Sequence, residues 1–175
     1  TSMCFDINLG CSGFIYGIAI AKSLMETFNF SNCLLINAEA YSKIINKKDR
    51  TVVTLFSDAA SVTILDKNCI CSEIIDFNFG TDGRGFENLI IKAGGSKIKS
   101  TEETRKEKKI TQGTYRSLEN LYMNGFEISK FVLKEIPKSI TRLLENNHLS
   151  GENIYKYFFH QANRYLLESL TKKMN

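Results

Sequence analysis

The chain has 175 residues, of which 43% are hydrophobic and 24% are charged, with 12 Phe, 7 Tyr, a single Pro and no Trp. These values are ordinary for one globular domain with a sizeable core, and they exclude a disordered or fibrous chain. The formal net charge of +4 is compatible with an anionic ligand. Because the sequence contains no basic helix, RNA-binding signature or zinc-finger spacing, we expect no nucleic-acid partner.

The cysteine pattern favours a reduced, cytoplasmic protein over a disulfide scaffold. The chain contains five cysteines, an odd number with no C-x-x-C pair: Cys4, Cys11, Cys33, Cys69 and Cys71. No leader pattern opens the chain, and the longest apolar run, from Phe14 to Ala21, is too short to span a bilayer. The chain begins within a predicted strand and ends within a predicted helix, so we expect a piece of a larger protein.

The first predicted elements deliver one cysteine to the start of a helix. Residues Cys4 to Leu9 are apolar enough for an inner strand, and apolar residues recur from Phe14 to Met25 as in a buried helix. Cys11 lies between them, where the unpaired N–H groups and positive dipole end of a helix favour a nucleophilic thiolate. Cysteine is also among the most buried residue types, so the spacing alone leaves a space-filling role open.

The next segment, Cys33 to Ala40, is predicted to be a second strand. With the helix between the two strands, it predicts a β-α-β unit and therefore a parallel sheet. The charged loop from Asn46 to Arg50 follows. This loop is compatible with a solvated turn and with a phosphate-binding role for Arg50.

The middle of the chain predicts strands and loops. Ser61 to Asp66 and Cys71 to Phe79 are strand-like with no helix between them, which predicts a locally antiparallel sheet. Gly80 to Gly85 is a glycine-rich loop that lacks the Gly-Lys-Ser/Thr end of a Walker loop. Lys97 to Lys109 has six Lys or Arg against three Glu and no periodic apolar face. We expect this segment to be an exposed, mobile loop, with docking of an acidic partner as the alternative.

The last third of the chain is predicted to be mainly helical. Apolar residues recur at helical spacing from Ser117 to Asn147, with a break or kink at Pro137. A short strand from Ile154 to Phe159 is predicted to end at His160, where another helix begins. Ligands bind at such strand ends in open α/β sheets, so His160 is a candidate to hydrogen-bond a carbonyl or to accept a proton. A histidine satisfied within the core is the alternative.

Several short motifs occur in one order along nearly the whole chain: Asp6–Phe14, Asp49–Arg50, Phe56–Ala60, Thr81–Gly83, Ala93–Ser96, Met123–Ile128 and His160–Asn163. Together they resemble the β-ketoacyl-acyl-carrier-protein synthase III family of thiolase-like condensing enzymes. The resemblance implies a partial thiolase-like α/β fold, layered α-β-α-β-α, with mixed sheets and the Cys-bearing helix buried between them. Residues 1–66 would belong to the N-terminal half of that fold, and residues 67–175 to a truncated C-terminal half.

The resemblance also implies a reaction, the decarboxylating Claisen condensation that starts fatty-acid synthesis. Cys11 would take the acyl primer from a coenzyme A thioester, and its backbone N–H would form part of the oxyanion hole. Malonyl-acyl carrier protein would then lose carbon dioxide and attack the acyl-Cys carbonyl. His160 would hydrogen-bond the malonyl thioester carbonyl and stabilise the enolate.

Binding roles follow from the same resemblance. Arg50 would face the nucleotide end of coenzyme A, and Gly125 and Asn163 would line the pantetheine channel. Gln161 and Arg164 would meet the acyl carrier protein, although the family more usually has an arginine one position later. Coenzyme A thioesters would be substrates, so neither a permanently bound cofactor nor a metal is expected. The full-length protein would be a homodimer.

This chain departs from the family pattern in two ways. It ends before the Gly-Asn motif that supplies the family's catalytic Asn, and it lacks a second oxyanion donor, so we expect the 175 residues alone to show little condensation. Three glycines of the family's Phe-Gly-Asp-Gly-Ala-Gly stretch are replaced within Phe56–Ser61. A polyketide starter synthase, a hydroxymethylglutaryl-coenzyme A synthase-like enzyme and a non-catalytic coenzyme A or carrier-protein binding module stay open as alternatives.

Overall fold

The computed structural model describes residues 2–70 and 72–174. The chain divides into two compact units, one made of Thr1–Glu39 and Ala59–Phe77 and the other of Ala40–Asp58 and Asn78–Asn175. The predicted division after residue 66 concerns the two halves of the family fold, and it stays a prediction.

The first unit is a helix on a two-stranded sheet. Helix α1 spans Gly13–Phe28, strand β1 spans Asn32–Glu39 and strand β2 spans Ala59–Asp66. The strands pair antiparallel, from Asn32 opposite Asp66 to Glu39 opposite Ala59. Gly17 of α1 lies so close to Leu35 of β1 that a Cβ at residue 17 would be 2.7 Å from the Leu35 Cδ1 atom. The missing side chain at Gly17 therefore lets α1 cover one face of the sheet.

The opposite face of this sheet is open and apolar. Residues alternate along β1, with the side chains at the odd positions of 33–37 half-buried and the even ones exposed. The exposed fractions on the open face are 62% for Leu34, 64% for Ile36, 59% for Val62 and 69% for Ile64. The first unit thus buries only one side of its sheet.

Three predictions for the first unit are wrong. Residues 2–9 form no strand, so the predicted strand from Cys4 to Leu9 and its parallel β-α-β unit are absent from the described residues. A strand needs a neighbouring strand for its hydrogen bonds, and β1 pairs only with β2 in the described part of the chain. Residues 72–79 form no strand either, and Cys71 lies outside the described residues. The third wrong prediction is the burial of helix α1 between two sheets. In this chain α1 leaves Phe14 and Ile15 exposed.

The second unit contains short strands and the longer helices. Strand β3 (Leu89–Ile90) pairs antiparallel with β6 (Tyr122–Met123), and β4 (Lys108–Thr111) pairs antiparallel with β5 (Thr114–Arg116). The helices are α2 (Glu102–Arg105), α3 (Gly125–Asn146) and α4 (Arg164–Met174), and α3 packs against α4. Buried apolar side chains of this unit are Val52, Ala93, Leu121, Leu166 and Leu170.

None of the helices in residues 2–70 and 72–174 combines the length and the apolar character needed to cross a membrane.

Three predictions for the second unit are also wrong. The predicted long helix is present as α3, but it begins at Gly125 rather than at Ser117, and Pro137 does not break it before its end at Asn146. Residues 154–159 are irregular rather than a strand. The segment from Lys97 to Lys109 contains α2 and the start of β4 instead of a mobile loop. A reciprocal cap between the Thr101 and Thr104 side chains holds α2, and the buried Thr104 hydroxyl donates to Glu119 over 2.6 Å.

Candidate active site

Cys11 lies in the turn that leads into α1. The Gly13 N–H donates to the Gly10 carbonyl oxygen over 2.8 Å, and the Tyr16 N–H donates to the Ser12 carbonyl oxygen over 3.1 Å. The thiol of Cys11 is free and the residue is exposed. The first turn of α1 contains no acidic residue. The sulfur is therefore accessible beside the N-terminus of a 16-residue helix, as predicted, and it does not fill space in the core of this chain.

His160 precedes the N-terminus of α4. Its carbonyl oxygen accepts a hydrogen bond from the Ala162 N–H over 3.1 Å, and the residue is exposed. The side-chain oxygen of Asn163 accepts from the Leu166 N–H over 2.9 Å and so caps the helix. The predicted helix after His160 is confirmed, although no strand precedes the residue.

Cys11 and His160 belong to different compact units, Cys11 to the first and His160 to the second. Each side chain is accessible within its own unit. Their meeting around one thioester stays a prediction.

Arg50 belongs to a loop of the second unit that is hydrogen-bonded to the segment 115–121 of the same unit. The Tyr115 N–H donates to the Lys48 carbonyl oxygen over 3.2 Å, and the Leu121 N–H donates to the Ile44 carbonyl oxygen over 2.9 Å. Backbone hydrogen bonds at Ile44 and at Lys48 therefore hold the loop, which is not a freely solvated turn. Arg50 itself is exposed, and no ion pair of its guanidinium is found among the described residues.

Asp49, next to Arg50, is fully buried. Its Oδ1 atom accepts hydrogen bonds from the Thr51 N–H at 3.0 Å and the Thr51 hydroxyl at 2.6 Å. Its Oδ2 atom lies 3.3 Å from Nη1 of Arg116, whose side chain is 11% exposed. Sequence reasoning missed this pair. The Asp-x-Thr spacing indicates a turn closed by a hydrogen bond to the Asp49 side chain. No local pattern indicates Arg116 as the ion-pair partner.

The remaining predicted binding residues lie at helix starts. Gly125 is the first residue of α3, and a Cβ there would meet only the Met123 Cε atom, at 3.9 Å. A substrate chain could therefore approach the backbone at Gly125 closely. Gln161 and Arg164 are both exposed near the start of α4, and the Arg164 Nε donates to Glu168 over 2.6 Å. Both side chains are accessible to a partner.

Asp58, from the Phe56–Ala60 motif, has a structural contact. Its two carboxylate oxygens accept hydrogen bonds from the Ser42 N–H at 2.7 Å and from the Ser42 hydroxyl at 2.6 Å. The hydrogen bond from the Ser42 hydroxyl, with that from the backbone N–H, holds the pKa of Asp58 below its ordinary value. Asp58 therefore stays ionised and fixes the short helical turn Tyr41–Lys43.

Two open clefts of about 590 and 400 Å³ lie between α3 and the segment 78–89. Asp82 and Arg84 line both clefts. The Arg84 guanidinium donates two hydrogen bonds to the Asp82 carboxylate, of 2.8 and 2.6 Å. None of the predicted site residues lines either cleft. Neither cleft therefore identifies the predicted site.

Comparison with known proteins gives a consistent result. The family described as 3-oxoacyl-[acyl-carrier-protein (ACP)] synthase III matches residues 5–83. A β-ketoacyl-[acyl-carrier-protein] synthase III of Caldanaerobacter subterraneus is 37% identical over 97% of this chain and 49% of its own length. The corresponding protein of Clostridioides difficile is 34% identical, again over 97% of this chain and 49% of its own length. The chain thus spans about half the length of the curated relatives it matches.

Solved structures agree with these relatives. A 2.1 Å crystal structure of a 3-oxoacyl-(acyl-carrier-protein) synthase III is 43% identical, with a TM-score of 0.89 over 97% of this chain and 50% of that one. The synthase III of Thermus thermophilus is 29% identical, with a TM-score of 0.77 over 97% of this chain and 49% of that one. The predicted thiolase-like α/β fold class is confirmed by these similarities. Over the half-length that it spans, the chain is similar to the 3-oxoacyl-[acyl-carrier-protein] synthase III family.

Proposed function

We propose that the natural protein carrying this chain condenses an acyl-coenzyme A primer with malonyl-acyl carrier protein, with loss of carbon dioxide, and so starts fatty-acid synthesis in the cytoplasm. The observation that carries the proposal is the free, exposed Cys11 thiol in the turn before α1. The similarity of the chain to the synthase III family supports the same reaction.

The first step is acyl transfer to Cys11. The Cys11 sulfur, as the thiolate, attacks the thioester carbonyl carbon of the acyl-coenzyme A. A new carbon–sulfur bond forms, the bond to the coenzyme A sulfur breaks, and coenzyme A leaves as its thiol. The Cys11 N–H makes no hydrogen bond within the described residues, so it is available to the oxyanion of the tetrahedral intermediate.

The second step is decarboxylative condensation. The malonyl group on the carrier protein loses carbon dioxide, and the electron pair of the broken bond forms an enolate. His160 donates a hydrogen bond to the oxygen of this enolate and stabilises its charge. The enolate carbon then attacks the acyl-Cys11 carbonyl carbon. The bond to sulfur breaks, the β-ketoacyl product stays on the carrier protein, and the Cys11 thiolate takes a proton from solvent.

Binding of the two thioesters uses groups outside the reacting centre. Arg50 contacts the anionic nucleotide end of coenzyme A, because the residue is exposed and its guanidinium forms no ion pair in the described residues. Gly125 and Asn163 line the path of the pantetheine arm. Gln161 and Arg164 contact the carrier protein, and the natural protein is a homodimer. Coenzyme A thioesters are substrates in this scheme, and no resident cofactor takes part.

The acylation step is tested with radiolabelled acetyl-coenzyme A and the natural protein, followed by mass spectrometry of the labelled peptide. We expect the wild-type protein to be labelled on Cys11 and Cys11→Ser to be unlabelled. Cys4→Ser is the matched control because Cys4 is also exposed and free, and it should keep the label. Label at the wild-type level on Cys11→Ser would overturn the nucleophile assignment.

A second variant separates condensation from acylation. His160→Ala should still be acetylated but should lose condensation with malonyl-acyl carrier protein by about 10²–10³-fold, since one oxyanion-type donor is removed. A wild-type protein that binds coenzyme A without any acylation would instead identify a binding module. Condensation with a different acceptor would identify a polyketide starter synthase or a hydroxymethylglutaryl-coenzyme A synthase-like enzyme.

A further inference from the structure

We propose that the buried pair of Asp49 and Arg116 positions the Arg50 guanidinium for the nucleotide end of a coenzyme A thioester. The two residues touch no substrate in this scheme. They act through Arg50, by fixing the loop that carries it against the β4–β5 hairpin. This inference rests on the function proposed above, which assigns the nucleotide to Arg50.

The charges of the pair are enclosed. Asp49 is fully buried, the Arg116 side chain is 11% exposed, and the Oδ2 and Nη1 atoms lie 3.3 Å apart. Apart from this ion pair, neither of the two atoms has a hydrogen-bond partner among the described groups. The Arg116 guanidinium carbon also lies 4.7 Å from the centre of the Tyr122 ring. The ion pair therefore ties the loop to β5 at one place.

Arg50 meets the turn of the same hairpin. Gly113, between β4 and β5, has a φ of +77°, and a Cβ there would lie 3.0 Å from Cζ, 3.1 Å from Nε and 3.3 Å from Nη2 of Arg50. The guanidinium thus lies against the backbone of Gly113, and a glycine is needed there for the backbone angle and for this approach. The hairpin turn acts as a platform for the Arg50 head group.

The two contacts are linked by the covalent chain. Asp49 is adjacent to Arg50, and Arg116 follows Gly113 on β5 after two residues, Thr114 and Tyr115. A change in the separation of Asp49 and Arg116 therefore moves Arg50 relative to its platform. A guanidinium held in advance binds a phosphate with less loss of side-chain freedom than a mobile one, so loosening the pair should weaken nucleotide binding.

The test compares two acetyl donors on the natural protein, acetyl-coenzyme A and S-acetyl-pantetheine, which lacks the nucleotide. Arg50→Ala removes the nucleotide contact, and Arg116→Lys keeps the charge but loses the planar guanidinium. We expect each variant to raise the KM for acetyl-coenzyme A about tenfold at an unchanged acylation rate constant, and to leave the KM for S-acetyl-pantetheine within about twofold. A purely structural role would change both donors alike.

The double variant decides whether Arg116 acts through Arg50. Arg50→Ala with Arg116→Lys should have the KM of Arg50→Ala alone, because the second change has no guanidinium left to displace. Additive effects, or equal effects on both donors, would overturn the positioning role. A wild-type protein that neither donor acetylates would overturn the proposed function itself.

Gly113→Ala gives an independent test that leaves the ion pair in place. Its Cβ would displace the Arg50 guanidinium, so the KM should rise for acetyl-coenzyme A and stay constant for S-acetyl-pantetheine. Gly94→Ala is the matched control, since Gly94 has a φ of +100° but lies against Glu119, and it should leave the ratio of the two KM values unchanged. The role of Gly113 as a platform for Arg50 would be overturned if Gly113→Ala left the ratio of the two KM values unchanged. An equal change of that ratio in Gly94→Ala would overturn it as well.

Discussion

The sheets of the two units have different surroundings. In the second unit the loop from Ile44 to Val52 is docked beside the β4–β5 hairpin, and it fully buries Asp49 and Val52. In the first unit α1 covers one face of the β1–β2 sheet, and the other face exposes four large apolar side chains: Leu34, Ile36, Val62 and Ile64.

This difference separates the two proposed roles, which are nucleotide binding by Arg50 and nucleophilic attack by Cys11. The platform for Arg50 is complete within one unit, because a buried charge pair and backbone hydrogen bonds hold it. The turn of Cys11 follows an exposed apolar segment and belongs to the unit with the open sheet face. Contiguous exposed apolar surface of this kind is typical of interaction sites, ligand-binding grooves or aggregation-prone faces. The binding residue is therefore more fully supported within this chain than the nucleophile.

The largest effect on stability is expected at the buried ion pair of Asp49 and Arg116. Asp49→Ala leaves the buried Arg116 charge without its partner, which should lower the free energy of unfolding by about 3–5 kcal/mol. Urea unfolding of the natural protein, followed by circular dichroism, measures this change. Asp58→Ala is the control because Asp58 is an exposed carboxylate with two hydrogen bonds, and its loss should be clearly smaller.

A compensating change sharpens the same prediction. Adding Arg116→Leu to Asp49→Ala removes the second buried charge and should recover part of the lost stability. Equal losses for Asp49→Ala and Asp58→Ala would contradict the burial difference on which the comparison depends.

The open sheet face gives the second prediction. Two exposed isoleucines on neighbouring strands, Ile36 and Ile64, should promote association of the 175-residue chain, and replacing both with lysine should lower its apparent mass in light scattering. Phe126→Lys is the control, since Phe126 is 75% exposed but lies on α3. If the control lowers the apparent mass as much as the double lysine variant, the open face is not the cause of association.

Local patterns predicted several elements well. The predicted strand from Cys33 to Ala40 is β1 with a difference of one residue at each end, because its alternation reflects one covered face and one open face. The helix predicted from Phe14 to Met25 is α1, whose buried residues Gly17, Ala21 and Met25 recur at a spacing of four. The family was also predicted from short motifs in their order, since those motifs are local in sequence.

The errors arise where a structure depends on distant residues. Apolar character alone predicted a strand from Cys4 to Leu9, but a strand also needs a neighbour, which these residues lack in the described chain. The polar composition of Lys97 to Lys109 predicted a mobile loop, because composition does not indicate the hydrogen bond of Thr104 to Glu119. The burial of Asp49 depends on Arg116, and no local spacing connects the two. Pairings of this kind appear only once the chain is folded.

The smallest effect is expected at the exposed pair beside α3. Hydrogen bonds from the Arg84 guanidinium, and from the Arg84 N–H, lower the pKa of Asp82 to about 2 from its ordinary value of 3.8. A carboxylate with a lowered pKa stabilises the folded state at pH values above its unfolded pKa, and this contribution is lost as the pH falls toward the folded pKa. The melting temperature of the natural protein should therefore fall between about pH 4 and pH 2. Protonation of Asp82 accounts for part of this fall in melting temperature.

Asp82→Asn isolates that part because asparagine does not titrate. The variant should show a slightly shallower fall in melting temperature over the same pH range, measured by circular dichroism. The difference should be small because the Arg84 side chain is 85% exposed and its charge is screened by solvent. High salt should reduce it further, since surface charges interact weakly at short screening lengths. A slope that is identical in the wild type and in Asp82→Asn at low salt would mean that the pair adds no pH-dependent stability to the second unit.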